Sequence, residues 1–106
     1  IEAPSSMSSW LLVAFSSFLI AYLEESYFRV YLLQQFNKTG IPKPAVYILS
    51  CTLFALCHLY EGIFGFINAF FAALVLSYFY QRYRSLHSIA WAHALYNLTA
   101  YVYAIN

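Results

Sequence analysis

Charge is what this chain has least of. Only 8% of its 106 residues are charged, against roughly 25% in soluble domains. Apolar residues make up 63%, where soluble domains carry about 45–50%, and the mean hydropathy is +0.66. These values exclude an ordinary soluble domain and point to a membrane protein. The net charge is only +1 and no basic cluster stands out, which excludes nucleic acid as a partner. Cysteine is scarce as well. Cys51 and Cys57 stand six apart in one apolar segment, a spacing that fits neither a CxxC redox pair nor a zinc knuckle. Both read as buried thiols acting as small apolar side chains. No cleavable signal peptide is visible ahead of the first apolar run. Residues 1–106 read as one transmembrane helical domain, the core of a longer membrane protein that begins before Ile1.

What is abundant is aromatic and aliphatic sequence in long runs. Aromatics reach 22%, and such rings suit lipid and the headgroup level. Four apolar segments run from about Trp10 to Phe36, Pro44 to Leu59, Gly62 to Tyr80 and Ser85 to Ile105. Each comes near the roughly 20 residues that cross a hydrocarbon core. Pro42 and Pro44 close one loop and start the next helix, since proline is tolerated in a first helical turn. The segments are too long for barrel strands and do not alternate. The expected fold is therefore all-α, a polytopic transmembrane helix bundle of about four spans. Lys38 and Lys43 fall in loop 37–43, and Arg82 and Arg84 in loop 81–84. Four spans put these loops on one side, and the positive-inside rule makes that side cytosolic. The Tyr60-Glu61-Gly62 turn and both termini fall opposite. Two glycosylation sequons, Asn37-Lys38-Thr39 and Asn97-Leu98-Thr99, are cytosolic and intramembrane on this topology, and neither is expected to be used.

The scarce charges are not spread evenly. Glu24, Glu25 and Arg29 lie within six residues inside the first span, while Glu2, Lys38, Lys43, Glu61, Arg82 and Arg84 lie near the N-terminus or between apolar runs. Intramembrane ionisable groups are costly and usually face a bundle interior or a wet cavity. Counted from the helix ends at about 1.5 Å per residue, Glu24 lies roughly 18 Å deep, His58 roughly 21 Å, His93 roughly 10 Å and Asn97 roughly 16 Å. Three helices thus bring polar groups to overlapping depths. The third brings only Asn68 and Ser77, and its Ala69, Ala73 and Ser77 repeat at i, i+4, i+8 as a small-residue packing face. Glu25 and Arg29 are i, i+4 with the acid first, the favourable order for an ion pair. Glu24 is turned about 100° away, so it is expected to face the cavity while Arg29 offsets Glu25. Phe54 and His58 share a face, as do His93 and Asn97. His87 reads as interfacial and Asn68 as a packing amide. Taken alone, a single intramembrane His reads as a hydrogen-bonded packing residue. The coincidence of Glu24, His58, His93 and Asn97 reads as a site.

Three motifs follow in order: Glu-Glu-x-x-x-Arg (Glu24, Glu25, Arg29), Phe-x-x-x-His (Phe54, His58) and His-x-x-x-Asn (His93, Asn97). On these the chain resembles the CPBP intramembrane protease family, which includes CAAX prenyl endopeptidases and the bacteriocin-processing or self-immunity proteins of the Abi group. The resemblance runs from about Leu23 to Asn97. It implies an endopeptidase in which Glu24 is the catalytic acid/base, His58 helps activate water, and His93 and Asn97 stabilise the oxyanion. Glu25, Arg29 and Phe54 would support the site. Family members usually carry further spans before the first motif and often a Gly near Ala73 or Ser77, where this chain has none.

The implied partners are a membrane-associated peptide or protein substrate, prenylated or leader-bearing, and the lipid bilayer. The implied location is the plasma membrane in a prokaryote or the endoplasmic reticulum in a eukaryote. No cofactor is favoured. Three alternatives stay open. Glu24, His58 and His93 could form a two-His, one-carboxylate zinc site with a place for water. The chain could be a non-catalytic immunity or interaction protein, or buried Glu and His could form a proton path.

Overall fold

A backbone in lipid must satisfy its own N–H and C=O groups, and among the described residues this chain does so with helices alone. The computed structural model describes residues 3–105; Ile1, Glu2 and Asn106 lie outside the described residues. Helix α1 is Met7–Asn37, α2 is Lys43–Leu56, α3 is Ile63–Tyr83 and α4 is Leu86–Ile105. The chain starts α1 with Ser6 as N-cap, its Oγ accepting from the Ser9 amide at 3.2 Å. Within α1 the residues Ser26–Leu32 form a π-helical stretch, with α-helical turns on both sides.

Two of these helices, α1 and α3, are long and apolar enough to cross a membrane. The expected bundle of about four spans is thus matched for two helices. Helix α2 is apolar but only 14 residues long. Helix α4 has 20 residues, but His87, Ser88, His93, Asn97 and Thr99 make it more polar.

Two expected boundaries move, for local reasons. Helix α2 stops at Leu56 rather than Leu59. The His58 amide bonds Ala55 O at 2.9 Å, while the His58 ring takes Phe54 O at 2.8 Å. The side chain has captured the carbonyl that a continuing helix would offer to the His58 amide. A 3₁₀ turn, Leu59–Glu61, and Gly62 at φ 92° then lead into α3. Helix α3 runs on to Tyr83, so most of the expected loop 81–84, including Arg82, is its last turn. Arg84 closes it in the left-handed conformation at φ 54°, with its amide on Tyr80 O at 2.7 Å. The Ser85 hydroxyl then accepts from the Ser88 amide at 3.1 Å, opening α4.

Helix α1 packs on α4, and α2 on α3. Ala69, Ala73 and Ser77 are the buried residues of α3, the small face expected from their spacing. It admits α2 closely enough for Cys51 Sγ to lie 4.0 Å from Ser77 Oγ. Cys57 is exposed, contrary to expectation, because the helix has ended one residue before it. Large apolar side chains such as Leu12, Phe15, Phe64 and Tyr103 point outward, while Glu25, Arg29, Ser50, Ser77 and His93 are buried. That distribution suits a solvent made of hydrocarbon.

Gly62 is the one sharp joint between α2 and α3, at φ 92° and ψ −179°, a region open essentially to glycine alone. Gly62→Ala is expected to destabilise the protein by about 1–3 kcal/mol, read as a lower unfolding midpoint in detergent.

Candidate active site

The first motif sits where α1 changes its winding. Glu25 is the last residue before the π stretch and Arg29 lies within it. A π turn shifts the side chains after it around the helix axis, and such turns recur at functional sites. Here Arg29 Nε lies 3.2 Å from Glu25 Oε1, and both side chains are fully buried. The pair is close but not aligned as a hydrogen bond, and Arg29 Nη1 and Nη2 also lack a hydrogen-bond partner among the described residues. The guanidinium carbon instead sits 4.8 Å from the centre of the Phe54 ring, a cation–π contact that gains strength away from water.

Glu25 has a second partner. His93 Nδ1 donates to Glu25 Oε2 at 2.7 Å. A carboxylate at that position holds a hydrogen on Nδ1, and His93 Nε2 is turned the other way. Nε2 lies 3.4 Å from Oε1 of Glu24, whose side chain is 28% exposed while His93 is 6% exposed. The two neighbouring acids therefore meet opposite edges of one imidazole. Glu25 does so inside the protein, and Glu24 does so at the wall of a cavity.

That cavity has a volume of about 830 Å³ and is lined by Glu24, Phe54, His58, His93 and Asn97, with Tyr60 and Glu61 also on its wall. Its size falls in the range of about 300–1,000 Å³ typical of ligand sites. His58 is half-buried. Its Nδ1 is hydrogen-bonded to Phe54 O at 2.8 Å; a carbonyl only accepts, so Nδ1 carries the hydrogen and Nε2 of the neutral ring keeps its lone pair. Phe54 is the common neighbour. Its ring lies 4.6 Å from His58 and 5.9 Å, edge-on, from His93. Across the same cavity the Tyr96 hydroxyl donates to Asn68 Oδ1 at 3.0 Å, tying α4 to α3.

All four residues expected at the site line one cavity, but they are not equally joined. Glu24 and His93 meet directly, although counting helical rise set them roughly 8 Å apart in depth. That count assumes the helix ends start level, which the fold does not impose. His58 and Asn97 share the cavity, and among the described residues neither is hydrogen-bonded to Glu24. The Glu25–His93 bond was not foreseen; it joins residues 68 apart, and neither helix alone signals it. Asn68, read as a packing amide, holds Tyr96 at the cavity wall. His87 is exposed and bonded through Nδ1 to the Tyr22 hydroxyl at 2.8 Å. Among the described residues no three His, Cys, Asp or Glu side chains are grouped so as to hold a metal ion. Glu24, His58 and His93 as placed are not grouped to hold one.

The pattern of the type II CAAX prenyl endopeptidase Rce1-like family matches residues 6–99. The chain belongs to that family. The match spans α1 to α4 and takes in all three motifs, so the resemblance read from Glu24 to Asn97 holds at the level of the family. Membership makes the chain a membrane protease in kind, and it suggests membrane-associated protein substrates. No curated protein and no solved structure matches the chain.

Among the described residues, Arg29 is the permanent cation paired with buried Glu25, beside what His93 can carry. Arg29→Met would leave a buried carboxylate short of its partner, and is expected to destabilise the protein by about 3–5 kcal/mol. Denaturation in mixed micelles measures it, and Arg29→Lys should recover part of the loss by restoring the charge without the guanidinium contact on Phe54.

Proposed function

We propose that this chain carries the catalytic core of an intramembrane endopeptidase of the glutamic type, with Glu24 as the acid/base. The observation that carries the reading is Glu24 Oε1 at 3.4 Å from His93 Nε2, on the wall of a cavity that His58 and Asn97 also line. A water in that cavity loses a proton to the Glu24 carboxylate as its oxygen bonds to the scissile carbonyl carbon. His58 Nε2, kept as an acceptor by the bond from Nδ1 to Phe54 O, takes the water's other hydrogen in a hydrogen bond and aims its lone pair. The carbonyl oxygen becomes an oxyanion, met by the Asn97 amide and by His93 Nε2–H. The tetrahedral intermediate collapses as Glu24 returns its proton to the leaving nitrogen and the C–N bond breaks.

Charge balance supports the donor role of His93. With Glu24 and Glu25 ionised and Arg29 positive, the cluster has one negative charge in excess. A second proton, on His93 Nε2, brings the sum to zero and leaves the Glu24 carboxylate able to act as the base. Glu25, holding Nδ1, keeps the ring oriented as the carboxylate of a catalytic triad does.

The substrate on this reading is a membrane-anchored protein or peptide, prenylated or leader-bearing, that presents a peptide bond at the depth of Glu24. In the same reading α2 and α4 complete a four-span bundle, with the Lys38–Lys43 and Arg82–Arg84 ends in the cytosol. Topology is tested with single cysteines. With Cys57 replaced by serine, Lys38→Cys and Arg84→Cys are both expected to react with an impermeant maleimide from the cytosolic face, and Tyr60→Cys from the other. Labelling of Lys38→Cys and Arg84→Cys from opposite faces would overturn the arrangement.

Cleavage of a membrane-anchored reporter peptide by the purified protein tests the chemistry. Glu24→Gln keeps shape and is expected to lower turnover by at least about 100-fold, the lower range for losing a general base, with an unchanged unfolding midpoint. Exhaustive chelation should leave the wild-type rate intact. An active Glu24→Gln protein would sink the mechanism, and activity lost on chelation and restored by zinc would move it to the metal alternative of Glu24, His58 and His93.

A further inference from the structure

A second cavity lies towards the opposite end of α1 from its N-cap. It encloses about 310 Å³ between residues 29–37 of α1 and the end of α3. Six of its eight lining residues carry hydrogen-bond donors, namely Arg29, Gln34, Asn37, Tyr80, Gln81 and Arg84, and none is a carboxylate. This composition is unusual in a chain with so few polar residues. The proposed reaction uses none of Gln34, Gln81 or Arg84.

Two features give the cavity a direction. At its inner end stands Arg29, buried, whose Nη1 and Nη2 have no hydrogen-bond partner among the described residues. At its outer end stands Arg84, exposed, its guanidinium carbon 5.8 Å from the centre of the Tyr80 ring. The left-handed turn at φ 54° sets Arg84 at the very end of α3, beside the end of α1. Guanidinium forks and amide N–H groups together match the several acceptor oxygens of a phosphate. The volume sits at the lower end of about 300–1,000 Å³ for small-ligand sites, which is room for a headgroup and not for a peptide. Basic pockets between helices at a membrane surface attract anionic headgroups.

We propose that this cavity is a binding site for a phosphate group, the chemistry shared by anionic phospholipid headgroups and free phosphate. A phosphodiester paired with choline fits poorly, because no acid lines the cavity to receive the ammonium. The site is distinct from the cleavage cavity: Arg29 lines only this one, while Glu24, His58, His93 and Asn97 line only the other. Its occupancy would clamp the end of α1 to the end of α3.

The test uses the delipidated chain in detergent and reads the unfolding midpoint, which rises with any ligand that binds the folded state. Phosphatidylglycerol, phosphatidylcholine and inorganic phosphate are titrated separately at constant ionic strength. A saturable rise with phosphatidylglycerol alone assigns the site to a lipid; an equal rise with inorganic phosphate assigns it to the free ion. Arg84→Asn, which tolerates the left-handed backbone, is expected to weaken the apparent affinity by roughly tenfold or more, as for loss of a charge-assisted hydrogen bond. Arg82→Asn removes the same charge two residues away, outside the cavity, and should change it little. Equal weakening by both variants would mean diffuse attraction to a basic end, and equal stabilisation by phosphatidylcholine would mean no selectivity for an anion. Either result overturns the proposal. Native mass spectrometry of retained lipid supplies a readout that survives if Arg84→Asn shifts the midpoint by itself.

Discussion

A carboxylate with no exposure to solvent sits between two helices and holds them to each other. Glu25 is reached from its own helix by Arg29 and from α4 by His93. Each is needed for a different reason. Arg29 supplies the charge without which a desolvated carboxylate would be prohibitive. His93 supplies the directed hydrogen bond that an ion pair at 3.2 Å with poor alignment does not. In water, apolar surfaces would bring α1 and α4 together. In lipid that force vanishes between helices, and packing and polar contacts remain. The Glu25–His93 bond thus anchors the pairing of α1 with α4, and the small face of Ala69, Ala73 and Ser77 anchors that of α3 with α2.

The π stretch follows from the same constraint. Two acids in succession point about 100° apart on a helix, and both need partners. The wider winding after Glu25 sets Arg29 below it and against the Phe54 ring, so that α2 joins the cluster through an aromatic face and adds no charge. Phe54 then touches Arg29, His58 and His93 at once. A single ring thereby fixes the relation between the buried ion pair and the cavity, and it does so without competing for protons.

The parts of this arrangement that repeat along one helix were legible from the sequence. Glu25 with Arg29, Phe54 with His58, and the Ala69, Ala73, Ser77 face each follow from a spacing of four residues. The all-helical fold and the family followed from hydropathy and three short motifs. What could not be read depends on how helices meet. No periodicity assigns His93 to Glu25 in preference to Glu24, and counting rise from loop ends misplaced His93 against Glu24. The π winding has no spacing signature at all. The early end of α2 rests on one side-chain bond, His58 to Phe54 O, which competes with the helix only because the chain must turn at Gly62. Cys57 became exposed for that same reason.

Glu24 and Glu25 are adjacent, identical in chemistry and close to the same imidazole, so what separates their roles is burial. Glu25 is fully buried and committed to two partners. Glu24 keeps 28% of its side chain exposed and makes one long contact. A group that holds helices together has little freedom to gain and lose a proton, because each change of charge would disturb the fold. A group on a cavity wall with one loose partner can do so at small structural cost. In a membrane protein, where polar side chains both assemble the bundle and perform chemistry, loss of activity on mutation does not separate the two functions. On the proposed mechanism the separation lies in which carboxylate is held loosely, and Glu24 is the one with the longer contact and the greater exposure.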